Sequence, residues 1–454
     1  MNESTKRAQS RETWLSSTRA FFNSYIFYGF QVFVACLFVA FHMEIAGVFA
    51  FGVLLCVILL LCEDIFATTL PFLLLSCVAT NCYDSYDIFM PYVAFAVIPI
   101  ACVVAHFVVY PKPFWIGESF YGIGAVSVAI LFGGIGYFSV MEYVYGAYYV
   151  FGLSVGMMLV YTLMKSQFSA RRNYDIKERF ALIMILMGVL CVAIIAIGYM
   201  KKRLGLEFTM HQGKLPFSRN NISTLLMFAM PFPLYLAKKK DWWAMCSLLF
   251  FGAICFTTSR GGLLFGGVEL LVCAMHWVFQ SKHRRRRLVY CLIAIGVLLI
   301  CCGHFAWGVL WERLFDGNKL DEGARYVMLK QAGKKFLKSP LIGTGILDNN
   351  LSYGWYKKRG ALTWYHMMIP QVVGSMGIIG ILAYGYQIFG RTRLIFKKKN
   401  AWAMVLGISY LGILLMSQVN PGEFCPLPFE LLTVLIFIFL EENIDDRLPL
   451  AKRW

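Results

Sequence analysis

The fold is decided by residues 180–199, which read FALIMILMGVLCVAIIAIGY. The stretch carries no charged or amide side chain, and its apolar residues lie on every side of a helix rather than along one stripe. A bilayer core requires about 20 apolar residues in a helix, because the backbone groups must be satisfied internally. The sequence therefore predicts a membrane-spanning helix here.

Runs of similar character recur along the chain. They predict an all-α integral membrane fold, a bundle of about 12–14 transmembrane helices with one long extracytoplasmic loop that carries amphipathic helices. The predicted spans are 22–41, 45–62, 65–80, 88–110, 118–139, 144–164, 179–199, 222–237, 243–258, 262–280, 288–306, 366–389, 401–417 and 426–440.

The composition supports this reading. Apolar types form 59% of the 454 residues and charged types 15%, whereas soluble domains carry about 25% charged residues. These values exclude a disordered chain and argue against an ordinary cytosolic enzyme. In so apolar a chain, the net charge of +17 indicates which side of a membrane the loops face rather than nucleic-acid binding. Most cysteines lie inside apolar runs, where they act as small hydrophobic residues.

The basic residues predict the orientation. With the N-terminus inside, the short connections rich in Lys or Arg (238–240, 284–287 and 397–399) all fall on the inner side, which places both termini in the cytoplasm of the cell. The predicted organisation is a cytoplasmic tail 1–21, a bundle 22–306 holding spans 1–11, an extracytoplasmic loop 307–365, spans 12–14 in 366–440 and a cytoplasmic tail 441–454. Within the loop, 323–338 has the spacing of an amphipathic helix lying on the outer surface.

Three polar residues fall at the outer ends of different predicted spans: Arg219, Arg260 and His366. Arginine presents a planar fork of donors that suits diphosphate, and helix N-termini also favour anions. A histidine takes a proton near neutral pH. Together they predict a catalytic site for transfer from a diphosphate leaving group. Each residue also has a structural interpretation, since an arginine at a helix end can snorkel to headgroups and an interfacial histidine can be purely structural.

Several motifs resemble one family. Ser259-Arg260-Gly261-Gly262 resembles the Ser-Arg-Gly-Gly turn of the O-antigen ligase and O-antigen polymerase family. His366, with Gly377 and Gly380, is similar to that family's histidine signature, although Met367 stands where the family commonly has asparagine or another polar residue. Arg325-Tyr326 and the stretch 340–345 resemble its Arg-Tyr and Pro-x-x-Gly-x-Gly segment.

The resemblance implies a metal-independent, membrane-embedded C-type glycosyltransferase without a cofactor. The implied donor is an undecaprenyl diphosphate-linked oligosaccharide, and the acceptor is a glycan, a lipid core, a wall polymer or a protein. Arg219 and Arg260 would contact the diphosphate and His366 would act at the acceptor. The predicted substrate-binding residues are Arg325, Ser259, Gly261 and Asn220. Membrane lipids are expected partners and nucleic acids are not.

Two other classes stay open from the sequence. A multi-pass transporter or flippase of lipid-linked glycans typically holds its functional charges near the bilayer midplane, where this sequence offers few ionisable residues besides Glu269 and His106. A passive scaffold of an envelope complex would explain the spans but not the three polar residues at the outer rim.

Overall fold

The structure is a computed structural model. It describes residues 14–41, 43–80, 90–138, 150–169, 174–203, 219–314, 322–345, 365, 367–398, 400–420, 422 and 427–442. Every regular element within these residues is a helix, so the all-α fold class is confirmed.

The described α-helices of at least five residues are numbered here in chain order. They are α1 (Trp14–Phe22), α2 (Tyr25–Ala40), α3 (Glu44–Leu61), α4 (Thr69–Thr80), α5 (Val97–Val109), α6 (Glu118–Phe138), α7 (Met157–Ser166), α8 (Ile176–Arg203), α9 (Arg219–Ala229), α10 (Phe232–Leu236), α11 (Ala244–Thr257), α12 (Arg260–Phe279), α13 (Arg284–Leu314), α14 (Glu322–Lys338), α15 (Met368–Lys397), α16 (Ala401–Met416) and α17 (Leu427–Glu442). Short 3₁₀ segments precede α4, α5 and α11, another follows α7, and a π-helical turn, Gly152–Gly156, leads into α7.

Among the described residues, four helices are long and apolar enough to cross a membrane: α3, α8 through Met200, α12 and α15. The pair α1 and α2, bent by 56°, adds a fifth if it forms one span. Shorter apolar helices include α16 and segments of α4, α5, α6 and α11. These helices agree with an integral membrane protein, while the number of spans and their orientation stay predictions.

The chain folds as two compact units, residues 1–113 with 166–222 and residues 114–165 with 223–453. In the first unit, α2, α3 and α4 pack with α8 around buried residues such as Phe180 and Ile58. The guanidinium of Arg179, at the start of α8, lies 3.9 Å from the ring centre of Tyr25. His106 of α5 contacts the carbonyl oxygen of Leu59 through Nδ1 at 2.8 Å.

The second unit is built on α15, which packs along α6. Two glycines permit this close approach: a Cβ on Gly133 would lie 2.7 Å from Cγ of Met376, and one on Gly122 would lie 3.2 Å from Cα of Gln387. Close contact of this kind is how apolar helices associate within a bilayer, where water provides no driving force.

A break divides α15 at Gly377, whose φ of 59° and ψ of −147° are not helical. The segment 340–345 fills this break with main-chain hydrogen bonds. Four backbone groups at the ends of the two helix halves find their hydrogen-bond partners in this segment. Two of them are the carbonyls of Gly374 and Ser375, which accept from the amides of Thr344 and Gly345 at 3.2 and 3.1 Å. The remaining two are the amides of Ile378 and Ile379, which donate to the carbonyls of Pro340 and Leu341 at 2.8 and 3.1 Å.

A buried ion cluster connects α17 to α6 and α7. Nζ of Lys165 lies 2.6 Å from a carboxylate oxygen of Glu441 and 2.8 Å from one of Glu442. The hydroxyl of Tyr161 and the amide of Ser119 also donate to Glu441, both at 2.5 Å. Helix α17 is therefore held to the segments that begin α6 and end α7.

Several helices differ in extent from the predicted spans; α13, for example, runs from Arg284 to Leu314, whereas the predicted span is 288–306. The apolar run 222–237 is split into α9 and α10, because Pro231 lacks the amide that would continue the helix. The helix that begins after residue 366 continues to Lys397, beyond the predicted boundary at 389.

Candidate functional site

The turn between α11 and α12 carries Arg260. Thr258 ends α11 in the left-handed conformation, with φ of 57°. Ser259 then caps α12, because its hydroxyl accepts a hydrogen bond from the amide of Gly262 at 3.1 Å. Arg260 is thereby the first residue of α12, half-buried, beside helix amides that have no partner within the helix.

The two glycines of this turn are required by packing. A Cβ on Gly261 would lie 2.5 Å from Cγ2 of Val419, and one on Gly262 would lie 2.7 Å from both Cβ and Oγ of Ser223. The Ser223 hydroxyl lies 2.8 Å from the hydroxyl of Thr257. The turn therefore packs closely between α9 and the residues that follow α16.

This packing gives a stability prediction. Gly262→Ala should lower the free energy of unfolding by about 1–3 kcal/mol, since a methyl group there overpacks against Ser223. Gly267→Ala in the same helix is the matched control, because its nearest neighbour, Cζ of Phe251, lies 3.8 Å away. Thermal unfolding of the two variants in one detergent checks this, and equal melting temperatures would contradict it.

A second turn, residues 416–420, contacts both the Arg260 turn and the start of α15. Gly261 packs against Val419, as described above. On the other side, the amide of Met368 donates to the carbonyl of Ser417 at 2.9 Å. Arg260 and the beginning of α15 therefore lie at the same end of this unit.

The structure places the other predicted site residues as follows. Arg219 and Asn220 open α9 but belong to the first unit, so their pairing with Arg260 stays a prediction. Arg325 lies within α14, and its side chain is not among those described. His366 lies outside the described residues, while its neighbours Tyr365 and Met367 are described.

Two features of this region had not been predicted from the sequence. Gln371 is fully buried on the first turn of α15 and hydrogen-bonds to Tyr365. The 416–420 turn is the other, and the only sequence signal for it is the Asn420-Pro421-Gly422 run, which is typical of turns.

Glu269 lies deep in α12, on the buried face that also carries Gly262, Gly266 and Cys273. Its side chain is fully buried, and neither carboxylate oxygen has a hydrogen-bond partner among the described residues. A Cβ on Gly412 of α16 would lie 2.5 Å from one of these oxygens.

Within the described part of the chain, no group of three or more His, Cys, Asp or Glu side chains has a metal-binding arrangement. Metal independence stays a prediction.

Apolar helices with a polar, arginine-bearing turn define the class as an integral membrane protein. A family model described as O-antigen ligase matches residues 245–385, and this confirms the resemblance to the O-antigen ligase family that the sequence motifs predict. The matched segment includes Arg260 and His366 but not Arg219. No curated protein and no solved structure matches. The family implies a glycosyl-transferring enzyme of ligase or polymerase type that acts in polysaccharide biosynthesis.

Proposed function

We propose that this protein moves an oligosaccharide from undecaprenyl diphosphate to an acceptor on the outer face of the cytoplasmic membrane. The family match supports glycosyl transfer in general. The observation that carries the proposed site is the 416–420 turn, which contacts both the Arg260 turn and the first residue of α15. Through it, a guanidinium and the segment that follows His366 lie at one end of one unit.

The proposed reaction is a direct displacement. The acceptor oxygen attacks the anomeric carbon of the lipid-linked glycan, and the bond from that carbon to the diphosphate oxygen breaks. His366 takes the proton of the attacking hydroxyl. Arg260 stabilises the charge that develops on the departing diphosphate. The products are the glycosylated acceptor and undecaprenyl diphosphate, and the atoms balance without a further reactant.

The other predicted residues complete the proposed donor site. Arg219 supplies a second guanidinium and Asn220 a neutral donor, both on the first turn of α9. Gly261 contributes its main-chain amide at the start of α12, where the helix dipole favours a phosphate. Ser259 shapes this part of the proposed site by capping the helix, while its own amide donates to Oγ1 of Thr257 at 3.2 Å. Arg325 of α14 is a further phosphate or sugar contact.

One observation favours the rival function, a transporter or flippase of lipid-linked glycans. Glu269 is a fully buried acidic residue within a candidate membrane span, and such residues mark transport pathways in many membrane proteins. We favour the transferase because the family match supports glycosyl transfer.

The two functions are separated by an assay with purified protein in detergent micelles, which have no second membrane face. Undecaprenyl diphosphate-linked oligosaccharide is supplied with one acceptor class at a time: lipid core, growing glycan, wall polymer or protein. We expect glycosylated product and equimolar undecaprenyl diphosphate with at least one acceptor, in buffer containing a chelator. A flippase forms no product under these conditions.

A folded, monodisperse protein that forms no product with any acceptor would contradict the proposal. Movement of the labelled lipid donor across proteoliposome membranes, without transfer, would establish the rival function instead. Product that appears only when a divalent cation is present would contradict metal independence alone.

A further inference from the structure

Tyr365, the residue before the proposed catalytic histidine, is held by its main chain and by its side chain. Its amide donates a hydrogen bond to Oε1 of Gln371 at 2.8 Å. Its ring is buried with Met328 and Ala332 of α14, and Nζ of Lys335 lies 5.5 Å from the ring centre. The backbone on this side of position 366 is therefore fixed to both α14 and α15.

The side chain of Gln371 has no freedom to turn. It is fully buried, and its Nε2 donates to the hydroxyl of Ser375, one turn further along α15, at 2.9 Å. A rotation of this amide by 180° would place Nε2 against the amide of Tyr365, where both groups are donors and neither can accept, so the hydrogen bond to Tyr365 would be lost. The side-chain oxygen Oε1 of Gln371 is thereby held against the amide of Tyr365.

The chain on the other side of position 366 is held as well. The carbonyl of Met367 accepts the amide of Gln371 at 3.2 Å, and the amide of Met368 donates to Ser417. Ser417 belongs to the 416–420 turn, which also packs against Gly261. Both flanks of residue 366 are thus tied to described elements, and one of those elements contacts the Arg260 turn.

We propose that Gln371 is a positioning residue, which fixes Tyr365 and so sets where His366 lies relative to Arg260. This inference rests on the proposed function, because it requires that His366 acts at the acceptor. Gln371 itself is buried beneath Tyr365 and takes no part in the chemical step. Replacing Gln371 should therefore lower the rate of the chemical step rather than weaken donor binding, because catalytic groups lose efficiency when they are displaced by about 1 Å.

The test compares three replacements of Gln371 in the detergent assay. Gln371→Met keeps the length of the side chain but removes both hydrogen bonds, and we expect kcat to fall about 10-fold or more with KM for the donor changed less than about 2-fold. Gln371→Glu keeps an acceptor for Tyr365 and accepts from Ser375, so kcat should stay within about 3-fold of the parent value. Gln371→Asn is too short to reach Tyr365 and should lose kcat as the methionine variant does.

Gln387→Met is the matched control, because Gln387 is also a buried glutamine of α15 and lies beside Gly122. It should leave kcat unchanged. Amide hydrogen exchange provides a second readout, since Tyr365 should exchange faster in Gln371→Met and not in Gln387→Met. If the methionine variant does not fold, the asparagine variant provides the same comparison.

His366→Ala separates the two hypotheses. If it retains transfer, the proposed role of His366 is wrong and the inference falls with it. If it is inactive while Gln371→Met and Gln371→Asn keep full kcat, the proposed function stands and the positioning role is overturned. An equal loss in the methionine and glutamate variants also overturns it, because the retained acceptor would then have no effect.

Discussion

Arg260→Lys is expected to reduce glycosyl transfer about 100-fold or more while the protein stays folded, since removal of one preorganised charge-stabilising group typically costs 10²–10³ in rate. Arg260 is the first residue of α12, and its planar fork can contact two oxygens of a diphosphate at once. Lysine keeps the charge but not this geometry. The loss should appear in kcat, because charge develops on the diphosphate only as the glycosidic bond breaks.

Arg284→Lys is the control for this prediction. Arg284 is also the first residue of a helix, α13, but it is exposed and its guanidinium lies 5.8 Å from the ring centre of Phe279. Transfer by this variant should match that of the parent protein. If Arg260→Lys is equally active and equally stable, Arg260 does not contact the departing diphosphate, and the proposed site is wrong.

Lys165→Met should produce the largest loss of stability, about 3–5 kcal/mol, because it leaves the carboxylates of Glu441 and Glu442 without their cation. The side chains of Lys165 and Glu441 are only 4% and 5% exposed. An unpaired carboxylate in such a place is costly, since protein atoms replace the water that would otherwise solvate it. We expect a lower melting temperature in detergent and less protein in the membrane.

Lys397→Met is the matched comparison, since Lys397 pairs with Glu118 at 2.8 Å but both side chains are more than half exposed. Exposed pairs contribute about 0–1 kcal/mol, so this variant should melt close to the parent protein. Adding Glu441→Gln to Lys165→Met should recover part of the lost stability. Equal melting temperatures for the two methionine variants would show that the buried ion pairs of Lys165 stabilise the protein no more than the exposed pair of Lys397 does.

Local features of the fold could be predicted from sequence because they depend on short stretches. The apolar run 179–199 lies within α8, and the predicted run 401–417 corresponds to α16. The turn at Arg260 was predicted between two apolar runs, and its Ser259 cap is a local signal. These elements follow from hydrophobic length and helix capping alone.

Features that depend on distant residues could not be predicted. Glycine is common in membrane helices, so Gly377 gave no signal of a break. The break exists because main-chain groups of 340–345 satisfy those of α15. The pairing of Lys165 with Glu441 likewise joins residues 276 positions apart.

Only the part of the candidate site that depends on short stretches of sequence could be predicted. Arg260 was found because it is a charged residue at the end of an apolar run and lies in a short motif. Gln371 was overlooked, since a single glutamine in a predicted span has no periodicity or motif to mark it. Its importance is apparent only when Tyr365 is placed beside it.

The junction at Gly377 has a consequence for how such enzymes can diversify. Four backbone-to-backbone bonds hold 340–345 in place, so the junction depends little on side-chain identity apart from its glycines. Tyr365 is anchored separately, by Gln371. The described chain is therefore anchored on both sides of 346–364, and we expect changes of sequence within that stretch to leave both anchors intact.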